Sequence, residues 1–588
     1  MNRHEYINLV ILFCIVVVIS FFPSLQGFDL TDHGFHITQQ YFNLIASMQG
    51  SGTELYLGSE ILGHLWLNIL PAPVLAWARL GGALIHVVTA LFTFLIVRRY
   101  FTTWIAFGST ILIALWMAGA SPMILHYYTV PSMIAVIFLW AIDRAQWCDY
   151  GDRGFYCWYA IAGAVGVFLA FSRLTLAPLL ILPLVPIVFH YKGFRASIKR
   201  STYSYLMGVL AGIVVVVSVL TGMGLLQTYL IQLYATIKGV ISTGGGPISS
   251  SHGLRELLAK YIRGYGFTTI LTGWIIMLSL GIWCLSISTR QPMRPWKIAG
   301  LVLIFISILL PVIGISLKPV LLSSSWVSRI MVWSVTGILI LITLVQILSK
   351  YKLFQDNRLA VLFVLGVIVV VFSPLGSNTG IIKNRFGFWV PVALMLASLY
   401  HLIKTQITSQ QVARKLSIAL MSLVFIAGIY NVYTNVYRDS GNRFQLTAQP
   451  DIPALNWTFT TEKRAQWLEG VAQEFENVPK DASVLFVNSV PSLYYVLNYP
   501  PSVEHPWLFL LSVEEVDFRL NKMVENQKLP DVVFFPKFNP RSPAWPEKTL
   551  FNRESIPIKI DHVRNFLTSN GYYMHADAST YEMWKNKK

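Results

Sequence analysis

"GFDLTDHGFHITQQYF", residues 27–42, sets two carboxylates and two histidines within eight positions, directly after the first apolar run of the chain. The stretch from Asp29 to His36 is too polar to lie in hydrocarbon. Its surroundings are the opposite: hydrophobic residues make up 55% of the sequence and charged residues 12%, about half the charged share of soluble domains. Apolar runs long enough to span a bilayer recur on both sides of it. About thirteen are read, at 7–23, 72–97, 104–120, 129–142, 158–171, 174–190, 203–223, 267–288, 298–317, 326–348, 359–373, 386–403 and 415–433. The predicted class is an all-α polytopic membrane domain. Arg3 alone precedes the first run and no small-residue cleavage site follows it, so this run reads as a retained signal anchor.

Lys and Arg set the expected orientation. With the N-terminus inside, alternate loops carry Arg98 and Arg99, then Lys192, Arg195, Lys199 and Arg200, then Arg290, Arg294 and Lys297. Lys350, Lys352 and Arg358 follow, then Lys404, Arg414 and Lys415, whereas residues 24–70 hold no basic residue. The bias places Asp29–His36 and everything after 433 on the extracytoplasmic side. The net charge of +17 lies mostly in these inner loops, so it reports topology and gives no reason to expect nucleic acid. Cys14, Cys148, Cys157 and Cys284 fall in spans or on the inner side, which speaks against disulfides and a cysteine zinc site.

Two regions are expected: a multi-spanning membrane domain over 1–433 and a small extracytoplasmic α/β domain over 434–588. In the second, "ASVLFVNSVPSLYYVL" reads as strand, loop and helix, and "PDVVFFPKF" as a strand. The segment from His562 reads as a helix ended near Gly571 and then an edge strand. The Gly/Ser-rich loop at 242–253 suits a lid or gate.

Acidic residues are scarce in the membrane portion. Glu5, Asp143, Asp149, Asp152 and Asp356 fall inside; Asp29, Asp32, Glu54, Glu60 and Glu256 fall outside. Carboxylates crowded without cations suit proton abstraction, one as base and one as orienter. The plainer reading is a helix-capping turn built on Thr31 and Asp32. His33 and His36, with Asp32, have the chemistry of metal ligands. Histidines at membrane surfaces are more often polar contacts, so they are placed as substrate-binding and no metal is assigned. Arg79, Arg173, Lys383 and Arg385 sit at the same level, where a cation is costly unless it faces protein or ligand. They are candidates to hold a phosphate. Lys318 and Arg329 read as snorkelling cations. Tyr127 and Tyr128, in "PMILHYYTVPS", are belt aromatics or the wall of a sugar cleft. Asn378, in "SPLGSNTG", is a further candidate for substrate contact. No P-loop, Rossmann fingerprint, GxSxG or HExxH in suitable context is present.

This pattern resembles the GT-C superfamily of integral membrane glycosyltransferases, which includes protein O-mannosyltransferases and the aminoarabinose transferase of lipid A. "DLTDHGFHI" is similar to the family's Asp-x-x-Asp-Glu-Gly motif at Asp29, Asp32 and Gly34, with His33 where a Glu is common. "HYYTVPSMIAVIFL", "GVFLAFSRLTLAPLLIL" and "PLGSNTG" resemble parts of bacterial members. The resemblance implies a sugar taken from a polyprenyl-phosphate donor, at the outer face of a bacterial inner membrane. The acceptor would be a hydroxyl of a glycan, lipid or protein, and transfer would invert the anomeric centre. It implies Asp32 or Asp29 as base, Asp32 first because it adjoins His33 and Gly34, and cations on the leaving phosphate. It implies no nucleotide or other cofactor at the site, although some members use a divalent metal. The rival readings are a lipid-linked glycan flippase or solute transporter, and a non-catalytic assembly subunit. Transporters place polar groups near the midplane in related halves; here the polar clusters lie at the outer boundary.

Overall fold

The structure, a computed structural model, describes residues 3–42, 53–118, 123–149, 152–184, 195–242, 356–375, 380–406, 410–434, 436, 438–439, 442–542, 544–547 and 555–587, with isolated positions between 259 and 339. Apart from those positions, the apolar runs at 267–288, 298–317 and 326–348 lie outside the described residues, as do the loop at 243–253, Glu256, Lys318, Arg329 and Asn378.

Apolar composition dictates helices, because a chain in hydrocarbon must satisfy its backbone internally. They are α1 (Arg3–Ser24), α2 (Asp32–Phe42), α3 (Leu57–Leu67), α4 (Leu75–Val97), α5 (Thr103–Ala118), α6 (Thr129–Gln146), α7 (Arg153–Ser172), α8 (Arg195–Gly222), α9 (Leu226–Ser242), α10 (Asn357–Phe372), α11 (Trp389–Gln406) and α12 (Gln410–Thr434). Among the described residues α4, α7 and the Arg200–Gly222 part of α8 are long and apolar enough to cross a membrane by themselves, and several other apolar helices are shorter. The run at 174–190, described as far as residue 184, does not begin as a straight α-helical span. Arg173 is extended (φ −161, ψ 102), and Leu174–Ile181 then winds as a 3-10 helix containing Pro178, whose missing N–H breaks α-helical pairing. Helices α7 and α8 pack backbone to backbone: a Cβ at Gly208 would sit 1.9 Å from the Ala160 carbonyl oxygen. Small residues permit such an approach between apolar helices.

The tail carries a four-stranded sheet of β1 (Val484–Phe486), β2 (Val532–Pro536), β3 (Tyr572–Asp577) and β4 (Tyr581–Asn586), in the order β1-β2-β4-β3. β1 runs parallel to β2, and β4 is antiparallel to both its neighbours. β1 and β2 are buried throughout because helices cover both sheet faces, which explains their unbroken apolar sequences. Leu485, Val533 and Phe535 pack with α15 (Val513–Glu525) and α16 (Ser555–Ser569). Val484, Phe486, Val532 and Phe534 turn the other way, onto α13 (Glu462–Phe475) and α14 (Ser492–Leu497).

That second cluster does not stop at the tail. It takes in Phe28, Leu30 and Ile37 around α2, and Leu75 and Ala78 at the start of α4. Helix α2 is thus covered by the tail, and His33 to Gln40 are all buried. Backbone bonds stitch the two parts: Gly27 N donates to Phe459 O at 2.7 Å and Phe459 N to Leu25 O at 2.8 Å. Ser492 N donates to Leu30 O at 3.1 Å, and Ser492 Oγ to Asp29 O at 2.6 Å.

Candidate functional site

The turn before α2 separates its two carboxylates. Asp29 accepts from Thr31 N at 2.9 Å, Thr31 Oγ1 at 2.7 Å and His33 N at 2.9 Å. Both its oxygens serve the helix start, as a capping carboxylate does, so the expected capping turn is built on Asp29 rather than on Asp32. Asp32 is the first helical residue, and its side chain keeps 32% exposure.

The expectation that these carboxylates lack a cation is corrected. Arg438 Nη2 reaches Asp32 Oδ2 at 2.8 Å, and Arg438 Nη1 also bonds Thr31 Oγ1. No basic residue occurs in residues 24–70, and the partner arrives from the other end of the chain because the tail folds back over α2.

One helical turn after Asp32, on the same face, stands His36. Its Nδ1 lies 2.9 Å from Glu60 Oε1, with both side chains nearly or wholly buried. The His36 ring meets Tyr127 at 5.1 Å, His126 at 5.6 Å and Tyr56 at 6.1 Å. His33 is buried beside it. Burial first, then the Arg79 guanidinium, holds this imidazole well below its usual range, so it is neutral. His126 is lowered in the same way, by burial and then by His36. Among the described residues no three His, Cys, Asp or Glu side chains converge to hold a metal ion. Asp32 is turned to Arg438 and His36 to Glu60, so the set Asp32, His33 and His36 does not fit one.

The cations divide into two kinds. Arg79 is buried and donates to Gly27 O at 2.5 Å, bracing the exit from α1. Arg443 does similar work, donating from Nε to Val432 O at 2.6 Å and binding Pro23 O. Arg173 and Lys383 instead meet over one aromatic plate. Arg173 lies 4.8 Å from the centre of Tyr128 and 5.9 Å from that of Tyr127. Lys383 lies 4.3 Å from Tyr128. Phe386 stacks on Tyr128 at 4.4 Å, and Arg385 covers Phe386 at 5.3 Å. Arg173 is further tied by Nη2 to Leu375 O at 3.1 Å. Burial draws Lys383 below the usual ammonium range, while Tyr128 and Asp32 oppose that shift. Lys383 and Tyr127 both lie within electrostatic reach of Asp32.

A lateral groove of about 320 Å³ runs between α3, α6, α7 and α8. Its lining is apolar, including Leu62, Ile134, Phe168 and Val216. Its lining includes Ser172, which precedes Arg173, and Val130, two residues after Tyr128.

Sequence reasoning brought Asp32, His36, Tyr127, Tyr128, Arg173 and Lys383 to one level, and the structure gathers them. It missed Arg438, for which the only signal is being the first basic residue after the last apolar run. It named Glu60 without pairing it to His36.

No protein-family model matches the chain, and no curated protein does. The chain is similar to solved structures of ArnT from Cupriavidus metallidurans bound to undecaprenyl phosphate, at 14% identity and a TM-score of 0.44 over 98% of this chain and 97% of that one. It is also similar to the oligosaccharyltransferase AglB from Archaeoglobus fulgidus, in complex with an inhibitory peptide and a dolichol-phosphate. There the identity is 13% and the TM-score 0.43, over 91% and 69% of the two chains. Both neighbours are GT-C superfamily glycosyltransferases. The likeness is loose, and the chemistry of the site rests on its own geometry.

Proposed function

We propose that this chain is an integral membrane glycosyltransferase that moves a sugar from a polyprenyl-phosphate donor to an acceptor hydroxyl, with inversion. The observation that carries the reading is the conjunction of Arg173 and Lys383 on the Tyr127–Tyr128–Phe386 plate, an apolar groove lined by Ser172 and Val130 from the same two chain segments, and Asp32 in electrostatic range of Lys383. The groove takes prenyl carbon, the cations take phosphate, and the sugar lies between them and Asp32.

Asp32 accepts the proton of the acceptor hydroxyl, whose oxygen attacks the anomeric carbon opposite the phosphate. The bond from that carbon to the phosphate oxygen breaks, and its electron pair leaves on the phosphate. Arg173 and Lys383 meet the charge that develops there, with Arg385 beside them, and Asn378 is kept as a candidate for substrate contact. Arg438 orients Asp32. Asp29 and Arg79 hold the frame, and His33, Tyr127 and Tyr128 wall the sugar cleft. The same reading divides the chain near 433, puts the N-terminus in the cytoplasm and the tail outside, and places the protein in a bacterial inner membrane.

The test is a mass spectrum of lipid co-purifying with the protein. A polyprenyl phosphate, retained by the wild type and depleted by Arg173→Ala, is the expected result. Purification free of any such lipid, together with no binding of added undecaprenyl phosphate, overturns the reading.

A further inference from the structure

An inverting transfer creates two proton problems, and Asp32 answers only one. The acceptor loses a proton; the phosphate, a diester monoanion in the donor, departs as a monoester and gains a negative charge. A phosphate monoester takes up a second proton near pH 6, so a donor of imidazole type is matched to it.

His36 has that chemistry and position. Glu60 accepts from Nδ1 and is wholly enclosed, while the His36 side chain keeps 6% exposure. The imidazole therefore stands between the carboxylate and open space. Nε2 makes no hydrogen bond among the described residues, and neither does the second oxygen of Glu60. The ring of His36 rests on Tyr127, the ring that Arg173 also covers. That places His36 on the phosphate side of the site, one turn from Asp32.

Resting on the function proposed above, we propose that His36, backed by Glu60, donates a proton from Nε2 to the departing lipid phosphate. The carbon–oxygen bond breaks with its electron pair going to the phosphate. The Nε2 proton passes to a phosphate oxygen as the acceptor proton passes to Asp32. A carboxylate at Nδ1 fixes the tautomer and stabilises the imidazolium. The groups facing His36 are Asp32 and His33 from its own helix, Tyr56 from the Thr53–Tyr56 turn, Glu60 from α3, and His126 and Tyr127 ahead of α6. His33 and His126 stay neutral by burial, and His36 is the imidazole of this cluster with a carboxylate on its Nδ1. Glu60 is a positioning residue.

The experiment uses the full chain in nanodiscs and measures undecaprenyl phosphate binding from pH 5.5 to 8.5. With one proton taken up on binding, wild-type affinity is expected to fall by up to roughly tenfold per pH unit as pH rises. His36→Gln should remove most of that dependence, leaving the lipid's own titration. Glu60→Gln, which keeps the bond to Nδ1 but not the charge, should move the midpoint to lower pH. Superimposable pH dependence in all three proteins overturns the inference while leaving the proposed function standing. Absence of binding by the wild type at every pH sinks both. Should one variant fail to fold, the other decides.

Discussion

Asp32 Oδ2 accepts from Arg438 Nη2 at 2.8 Å, a pair joining the first polar turn of the chain to the segment just after its last apolar helix. The pair is partly open to solvent, at 32% and 24% side-chain exposure, so it adds little stability. Its consequence is orientation: a carboxylate held by a planar cation keeps one rotamer and one lone-pair direction toward the site.

The two first-loop carboxylates should therefore fail differently. Asp32→Asn is expected to remove transfer while leaving the thermal midpoint close to wild type. Asp29→Asn deprives the start of α2 of a doubly accepting carboxylate and should cost about 1 kcal/mol, as lost caps do. Measured turnover beside thermal unfolding of the two variants separates them; equal loss of activity at equal stability would refute the division.

Arg173 and Lys383 share the Tyr128 ring, and their shapes differ. A guanidinium can stack and bond Leu375 O at once, whereas an ammonium is a point charge. Arg173→Lys should thus weaken undecaprenyl phosphate binding nearly as much as Arg173→Ala, by roughly tenfold or more, while Lys383→Arg should be milder. A titration with the lipid in nanodiscs checks the order.

Gly34 matches a motif glycine, and the structure shows what it does. A Cβ there would lie 2.1 Å from Ser492 N, which donates to Leu30 O. The obstacle is backbone and cannot swing aside. Gly34→Ala should loosen the tail from α2 at a cost of about 1–3 kcal/mol, read as faster proteolysis after residue 434. Wild-type resistance would show that the contact yields more easily than this.

The sequence was legible where one physical rule dominates. "LAWARLGGALIHVVTALFTFLIV" can only be helix in hydrocarbon, and it is α4. "VLF" and "VVFFP" are apolar without alternation, which is how strands covered on both faces read. The turn at Gly571 (φ +79) ends α16 where a helix stop was expected. What stayed hidden depends on contacts distant in sequence. Nothing near Asp32 announces Arg438, and nothing in "DHGFHITQQYF" says that the tail will bury it. Pairing His36 with Glu60 needs α2 and α3 side by side, a fact of packing that neither local pattern holds. Arg79 reads as a candidate for phosphate because a charge inside a span needs a partner; the bond from its Nη2 to the Gly27 carbonyl is a contact that sequence cannot mark.

His505 extends this dependence on packing to pH. It is buried where the tail meets α2, its ring 5.1 Å from Phe35, and burial lowers it to about 3. Its Nδ1 accepts from Trp507 N at 3.2 Å, so the folded state needs the neutral form. An exposed imidazole titrates near 6.5. Below that pH the unfolded chain binds a proton the folded chain refuses, and stability falls as pH drops from about 6.5 toward 3. Each unit in that window removes up to about 1.4 kcal/mol. His33, buried in the same helix as Phe35, adds in the same direction. His505→Asn keeps an acceptor for Trp507 N and removes the titration. The full-length variant should lose less of its thermal midpoint between pH 7 and pH 4.5 than the wild type does. Parallel curves for the two proteins would show that His505 takes up its proton as readily folded as unfolded.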